Sequence, residues 1–145
     1  MLALAVAMGA VWKYFLTRKD ELAWRRSEMI FKLGDRLDTD PRMSRAVDLL
    51  YDRLPGIHVS QLFTEDGQPH ETLHADLLGD MDVLLNFLAR ISHAHLKLHT
   101  LSIAEVETFG AHFQSIVVLD RLKKYCANYG YTDVVAMAAK IVASG

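Results

Sequence analysis

The sequence predicts an all-α protein, and three observations support this fold class. Its three prolines, Pro41, Pro55 and Pro69, lie close together, so the chain on either side can form long helices. Apolar residues recur with helical spacing, whereas strand-type alternation is absent. With 145 residues, 51% of them hydrophobic, and a single cysteine, the chain has enough apolar side chains for one core and is neither disordered nor a disulfide scaffold.

The N-terminal segment 1–16 is almost entirely apolar, the exceptions being Gly9 and Lys13. As a helix it spans roughly 24 Å, less than the roughly 30 Å hydrocarbon core, so a crossing requires Lys13 to extend to the interface. We expect this segment to be a membrane anchor. The anchoring side chains are Leu2, Leu4, Val6, Val11, Trp12, Phe15 and Leu16.

A cluster of basic residues follows the apolar run, and none precedes it. By the positive-inside rule, this arrangement predicts a single-pass protein with its N-terminus outside and residues 17–145 forming a cytoplasmic helical domain. The juxtamembrane basic residues are Lys13, Arg18, Lys19, Arg25 and Arg26. Three alternatives remain open for residues 1–16: a buried helix of a soluble bundle, a helix that lies in the membrane interface, and a cleaved signal peptide.

The first helix is expected to continue from the anchor as a stalk that ends at Leu37. Its apolar pairs recur every seven residues, at Phe15/Leu16, Leu22/Ala23 and Met29/Ile30. Lys19 and Arg26 occupy the intermediate core positions, where a zipper requires apolar side chains. We therefore interpret this segment as a stalk that packs on its own domain and not as a coiled coil.

Residues 40–69 contain a second helix and a loop. Asp40 followed by Pro41 has the form of a helix N-cap with proline at the first helical position, and the helix is expected to end at Pro55. The following loop contains Leu62 and Phe63 as an apolar contact with the core.

The remaining helices are predicted from periodicity and end signals. The third shows the most regular spacing, at Leu77, Met81, Leu84, Leu88, Ile91, His95 and Leu98, with a possible kink at Gly79. Ser102 and Glu105 form a capping box that begins a fourth helix, which we expect to end at Gly130. Thr132 begins a short last helix. Together these elements predict a compact antiparallel bundle of about four helices.

A short motif resembles a zinc site. His70, Glu71 and His74 form H-E-x-x-H, in which two histidines one turn apart bind zinc and the glutamate activates water. Asp80 is the nearest plausible third ligand. We keep a small zinc-dependent hydrolase, with metal ligands His70, His74 and Asp80 and the base Glu71, as an alternative to a protein with no catalytic activity.

Other clusters indicate structural roles. His93, His95 and His99 lie together, and His95 on the apolar seam is expected to be a core histidine with a hydrogen-bond partner. Cys126 lacks an activating neighbour, which argues against nucleophilic catalysis. With 16 basic and 18 acidic residues the chain is nearly neutral, so we expect no nucleic-acid partner. No small-molecule substrate or cofactor is indicated.

Three short motifs carry a resemblance to a known family. The sequences at residues 22–26 (LAWRR), 40–41 (DP) and 84–91 (LLNFLARI) resemble an uncharacterised bacterial family of small membrane proteins. Members of that family have an N-terminal membrane helix, a basic juxtamembrane stretch and a helical cytosolic domain of unknown function. This chain departs from their pattern at Leu88–Ala89, where an acidic residue often follows the asparagine and aromatic. The resemblance implies the bacterial inner membrane and supplies no catalytic residues.

These observations predict a membrane-anchored helical interaction module. Its partners are expected to be membrane lipid and a protein at or in the membrane, as for an accessory or assembly subunit of a larger complex.

Overall fold

The computed structural model describes residues 2–70 and 74–144, and for residues 2–11 it describes the backbone only. Within these ranges the protein is all-helical, with seven α-helices, one 3₁₀ helix and no strand beyond a single isolated bridge. The predicted fold class is therefore confirmed. The chain divides into two compact units, Met1–Arg36 and Leu37–Gly145. No helix in the described part is long and apolar enough to cross a membrane.

Helix α1 runs from Leu2 to Thr39 and makes up nearly all of the first unit. The predicted continuation of the first helix through Leu37 is confirmed. Every residue from 12 to 29 is exposed, and Leu37 is buried.

Helix α2, Pro41–Leu50, begins at the predicted cap. The Asp40 carboxylate accepts hydrogen bonds from the backbone N–H groups of Arg42 at 2.9 Å and Met43 at 3.3 Å. The helix ends earlier than the predicted Pro55, because Asp52 adopts a left-handed conformation with φ 54°. The inner face of α2 buries Met43, Ala46, Leu49 and Leu50.

The loop after α2 is held against the core by its apolar residues. It contains a 3₁₀ helix, Val59–Leu62, and an antiparallel bridge between Phe63 and Pro69. Leu62 and Phe63 are buried, as predicted. The loop turns at Gly67, whose φ of 74° is left-handed.

Helix α3, Ala75–Leu96, is the central helix, and α2 and α7 both pack on it. The five predicted inner residues from Leu77 to Ile91 are buried. The helix continues through Gly79 and stops at Leu96, so the prediction that Leu98 is an inner residue is wrong: this side chain is exposed. The chain reverses at His99, which has a left-handed φ of 51°.

The predicted fourth helix is three helices, α4 (Ile103–Glu107), α5 (Gly110–Val118) and α6 (Asp120–Asn128). The capping box at its start is confirmed, because Ser102 Oγ accepts from Glu105 N and Glu105 Oε2 accepts from Ser102 N. A straight helix over these residues would be about 39 Å long. The breaks at Phe109 and Leu119 redirect the chain so that Phe113, Ile116 and Cys126 are all fully buried.

Helix α7, Thr132–Ser144, begins two residues after Gly130, where φ is 87°. It buries Val134, Met137, Ala138 and Ile141 and packs on α3, α5 and α6. The predicted last helix is confirmed. The second unit thus contains six α-helices in its described residues, and the prediction of about four is wrong because the segment after Ser102 turns twice.

The two left-handed glycines at 67 and 130 provide a matched test of packing. A Cβ at Gly67 would lie 2.6 Å from Lys124 Cβ and Tyr125 N, whereas one at Gly130 would meet nothing within 4 Å. We expect Gly130→Ala to lower the free energy of unfolding by about 1 kcal/mol, the usual cost of a side chain at positive φ. Gly67→Ala adds a clash with backbone and is expected to cost at least about twice as much. Urea unfolding measures both changes, and equal losses would contradict the close approach of the loop to α6.

Candidate functional site

The exposed surface of α1 contains the described part of the predicted anchor. Trp12, Phe15 and Leu16 are 69%, 62% and 48% exposed. The soluble alternative requires these side chains to be buried, and for these three residues that expectation is wrong. The predicted anchor side chains Leu2, Leu4, Val6 and Val11 lie outside the described side chains.

The juxtamembrane basic residues differ in their local partners. Arg25 pairs with Glu21 at 2.6 Å, and Arg18 donates to the Tyr14 hydroxyl at 3.0 Å. The side chains of Lys13, Lys19 and Arg26 make no hydrogen bond or ion pair with the described residues. Three of the five predicted cations are therefore available to bind an anion.

Two further aromatic residues on α1 were not among the predicted site residues. Trp24 and Phe31 are 70% and 76% exposed and lie seven residues apart, on the face opposite Phe15 and Leu22. Helical spacing alone places them on that face, but only the structure shows that nothing in the described chain covers them.

Neither histidine of the H-E-x-x-H motif lies on a helix. His74 is the residue before α3 and has a left-handed φ of 67°, and His70 follows the bridge at Pro69. The motif requires both histidines on one helical turn, so this expectation is wrong. Glu71 lies outside the described residues. In the described residues no group of three metal-ligating side chains occurs. Zinc binding by this chain stays an untested prediction.

Asp80, the predicted third ligand, forms a buried ion pair. It is 1% exposed, and its two carboxylate oxygens accept from Arg42 Nε at 2.8 Å and from Arg45 Nε. The Asp80 carboxylate raises the pKa of Arg45 above its usual value by hydrogen bonding and by charge. Arg42 and Arg45 share a face of α2 because they are three residues apart. The three-residue spacing of these two arginines is visible in the sequence, and it could have suggested that they bind one carboxylate together.

The second histidine cluster has structural contacts. His95 Nδ1 lies 2.8 Å from the Leu101 carbonyl oxygen, and Lys140 Nζ lies 2.8 Å from its other ring nitrogen, Nε2. His95 therefore has the hydrogen-bond partner predicted for it, although its side chain is only half-buried. His93 is 3.7 Å from the Asp133 carboxylate, and His99 is exposed.

A hydrogen-bonded cluster centred on Asp82 was missed at the sequence level. Its Oδ1 accepts from the hydroxyls of Tyr125 at 2.7 Å and Tyr131 at 3.2 Å. Burial and the Asp82 charge raise the pKa of Tyr131 to about 12 and that of the neighbouring Cys126 thiol to about 12. Tyrosines and a thiol with such high pKa values stay protonated at neutral pH, which suits packing and not nucleophilic attack.

A shallow cleft of about 440 Å³ lies between the end of α2 and the outer side of α5. Its lining includes Tyr51, whose hydroxyl is 3.0 Å from Nδ1 of His112. Burial lowers the pKa of His112, and the charge of Asp38 partly opposes this shift. The residues that line this cleft include no charged side chain.

No known protein family matches this chain, and no curated protein or solved structure is significantly similar to it. The family resemblance at residues 22–26, 40–41 and 84–91 therefore stays a prediction.

The buried ion pair between α2 and α3 is expected to stabilise the folded protein. We expect Asp80→Asn to lower the free energy of unfolding by about 2 kcal/mol, below the usual cost of breaking a buried pair because both arginines reach solvent. Asp76→Asn removes an exposed carboxylate four residues earlier on α3 and should cost less than about 0.5 kcal/mol. Urea denaturation measures both variants, and a similar small loss in each would contradict a structural role for Asp80.

The lowered pKa of His112 predicts how the stability of the protein depends on pH. The pKa of His112 in the folded protein is lower than its ordinary value of 6.5. As the pH falls toward and below 6.5, the unfolded chain therefore binds a proton at this residue more readily than the folded chain. The free energy of unfolding must then fall as the pH falls. We expect the free energy of unfolding to drop between about pH 7.5 and 5.5, and His112→Gln to reduce this slope. His99→Asn, at an exposed left-handed position that asparagine tolerates, is the control and should keep the slope. Equal slopes in wild type and His112→Gln would contradict the assignment.

Proposed function

We propose that this protein is a membrane-anchored helical interaction module, an accessory or assembly subunit of a larger complex at the bacterial inner membrane. One observation carries the proposal, which is the exposure of eight large apolar side chains on α1. They are Trp12, Tyr14, Phe15, Leu16, Leu22, Trp24, Met29 and Phe31. They lie on more than one side of the helix, and exposed apolar surface of this extent marks sites that are covered by lipid or by another protein.

Residues 1–16 are the segment that we assign to lipid. The segment is short for a crossing, and Lys13 near its end reaches the interface through its aliphatic stem. Trp12 and Tyr14 are residue types that favour the membrane–water boundary. The basic residues Arg18, Lys19, Arg25 and Arg26 then face the cytoplasm, where anionic headgroups attract them.

The second unit, which begins at Leu37, is the part that we assign to the cytoplasm as a binding domain. Its buried polar groups are engaged with one another, as in the Asp80 pair and the Asp82 cluster. This arrangement favours a rigid scaffold with no catalytic activity of its own. An anchor raises the local concentration of such a domain near membrane partners.

The anchor is tested by washing membranes from cells that express the full chain with alkaline carbonate. Wild type is expected to stay with the membranes. Val6→Glu places a charge in the apolar run at a cost of about 3 kcal/mol and should move most of the protein to the supernatant. Val118→Glu, the same substitution at a residue of α5 that is 80% exposed, is the matched control and should stay with the membranes. Release of the wild type would overturn the anchor.

A further inference from the structure

We infer that α1, from the end of the anchor at Phe15 to Leu33, binds an acidic amphipathic helix of a partner protein. The binding surface is the α1 seam, which we define as Phe15, Lys19, Leu22, Arg26, Met29 and Leu33. These residues follow a four-three spacing and lie on one side of the helix. The inference rests on the proposed interaction role and is independent of whether residues 1–16 enter the membrane.

The α1 seam is apolar along its length but carries two cations. Phe15, Leu22 and Met29 are exposed, and they recur every seven residues. Leu16, Ala23 and Ile30 widen the apolar arc to about 140° of the helix surface. Lys19 and Arg26 lie near the centre of this arc and not at its edges. Any surface that covers the seam therefore has to receive both charges.

Neither cation is neutralised within α1. The carboxylates of Glu21 and Glu28 pair with Arg25 and Lys32 on the other side of the helix, at 2.6 and 2.7 Å. Lys19 and Arg26 have no ion-pair partner in the described residues, so covering the seam with a neutral surface would desolvate two unpaired charges. A partner with carboxylates opposite these positions avoids that cost.

A second copy of the chain does not supply those carboxylates. A parallel pairing would place Lys19 against Lys19 and Arg26 against Arg26. An antiparallel pairing also joins two surfaces whose only charged seam residues are basic, because the acidic residues Asp20, Glu21 and Glu28 lie outside the seam. Charge complementarity therefore favours a different protein.

A lipid surface fits the α1 seam poorly. Helices that lie flat on membranes carry their basic residues along the edges of the apolar face, where the side chains reach the headgroups. Lys19 and Arg26 are at the centre, which is the deepest part of a helix in that position. Carboxylates on a partner helix can meet both cations at the same depth.

The spacing of the two cations defines the partner. Seven residues of helix place Lys19 and Arg26 roughly 10 Å apart along the axis, so two carboxylates seven residues apart on the partner match them. Leucine or another large apolar residue between these carboxylates would pack on Leu22. The expected partner is thus a helix with an apolar stripe interrupted by two acidic residues.

Two synthetic four-heptad peptides test this inference on the full chain in detergent micelles. Both have leucine at every core position except two that are seven residues apart, where one peptide carries glutamate and the other lysine. We expect the glutamate peptide to bind at least roughly tenfold more tightly in a fluorescence-anisotropy titration, because two ion pairs replace two like-charge contacts. Equal affinities, or no binding of either peptide, would overturn the inference.

A charge-swapped variant and a matched control identify the surface. The pair Lys19→Glu with Arg26→Glu should reverse the preference and bind the lysine peptide. The pair Arg25→Glu with Lys32→Glu makes the same charge change with the same spacing outside the seam, and it should keep the wild-type preference. Circular dichroism checks that both variants stay helical. If the two double variants lose peptide binding to the same extent, the assignment of the binding surface to the seam is contradicted.

Two further measurements distinguish the other occupants. A stable dimer in analytical ultracentrifugation that the seam pair breaks and the control pair keeps would assign the seam to a second copy. Binding to phosphatidylglycerol vesicles that shows the same dependence would assign it to lipid. Either result overturns the acidic-helix inference. Failure of the carbonate-wash experiment alone would remove the anchor and leave this inference standing.

Discussion

The ion pair of Asp80 with Arg42 and Arg45 is the constraint on which the arrangement of α2 and α3 depends. A carboxylate that is 1% exposed has to be paired, and both of its partners come from α2. Arg42 passes over Gly79, where a Cβ would lie 3.1 Å from its guanidinium. The glycine that suggested a kink therefore makes room for the side chain that joins the two helices.

The irregular loop of the second unit is also held by polar side chains, in this case those of α6. The loop between α2 and α3 has backbone carbonyls that face α6. Arg121, Lys124 and Asn128 donate to the carbonyl oxygens of Ser60, Glu65 and Asp66 at 2.9–3.0 Å. These bonds tie the loop to α6, and Gly67 lies against the same helix beside Lys124 and Tyr125. Tyr125 of α6 then reaches Asp82 of α3.

The two units differ in where their polar and apolar groups find partners. In the second unit the acidic residues Asp80 and Asp82 are engaged internally, and the apolar side chains fill one core. In α1 most large apolar side chains and two central cations face outward. This contrast is the reason that we place the surface for an acidic helix on the first unit. Within α1, the anchor ends at Leu16, and the α1 seam begins at Phe15 and continues to Leu33.

Local signals in the sequence determined the helical class, the length of α1, the Asp40 cap, the Ser102 capping box and the buried face of α3, because each depends on residues within one or two turns. Tertiary structure alone decided the breaks at Phe109 and Leu119, the left-handed conformation of His74 before α3, and the use of Asp80 as an ion-pair partner. These features depend on residues distant in sequence, and neither helical period nor a short motif reports such contacts. The exposure of Trp24 and Phe31 belongs with them, since only the folded chain shows which apolar side chains stay uncovered.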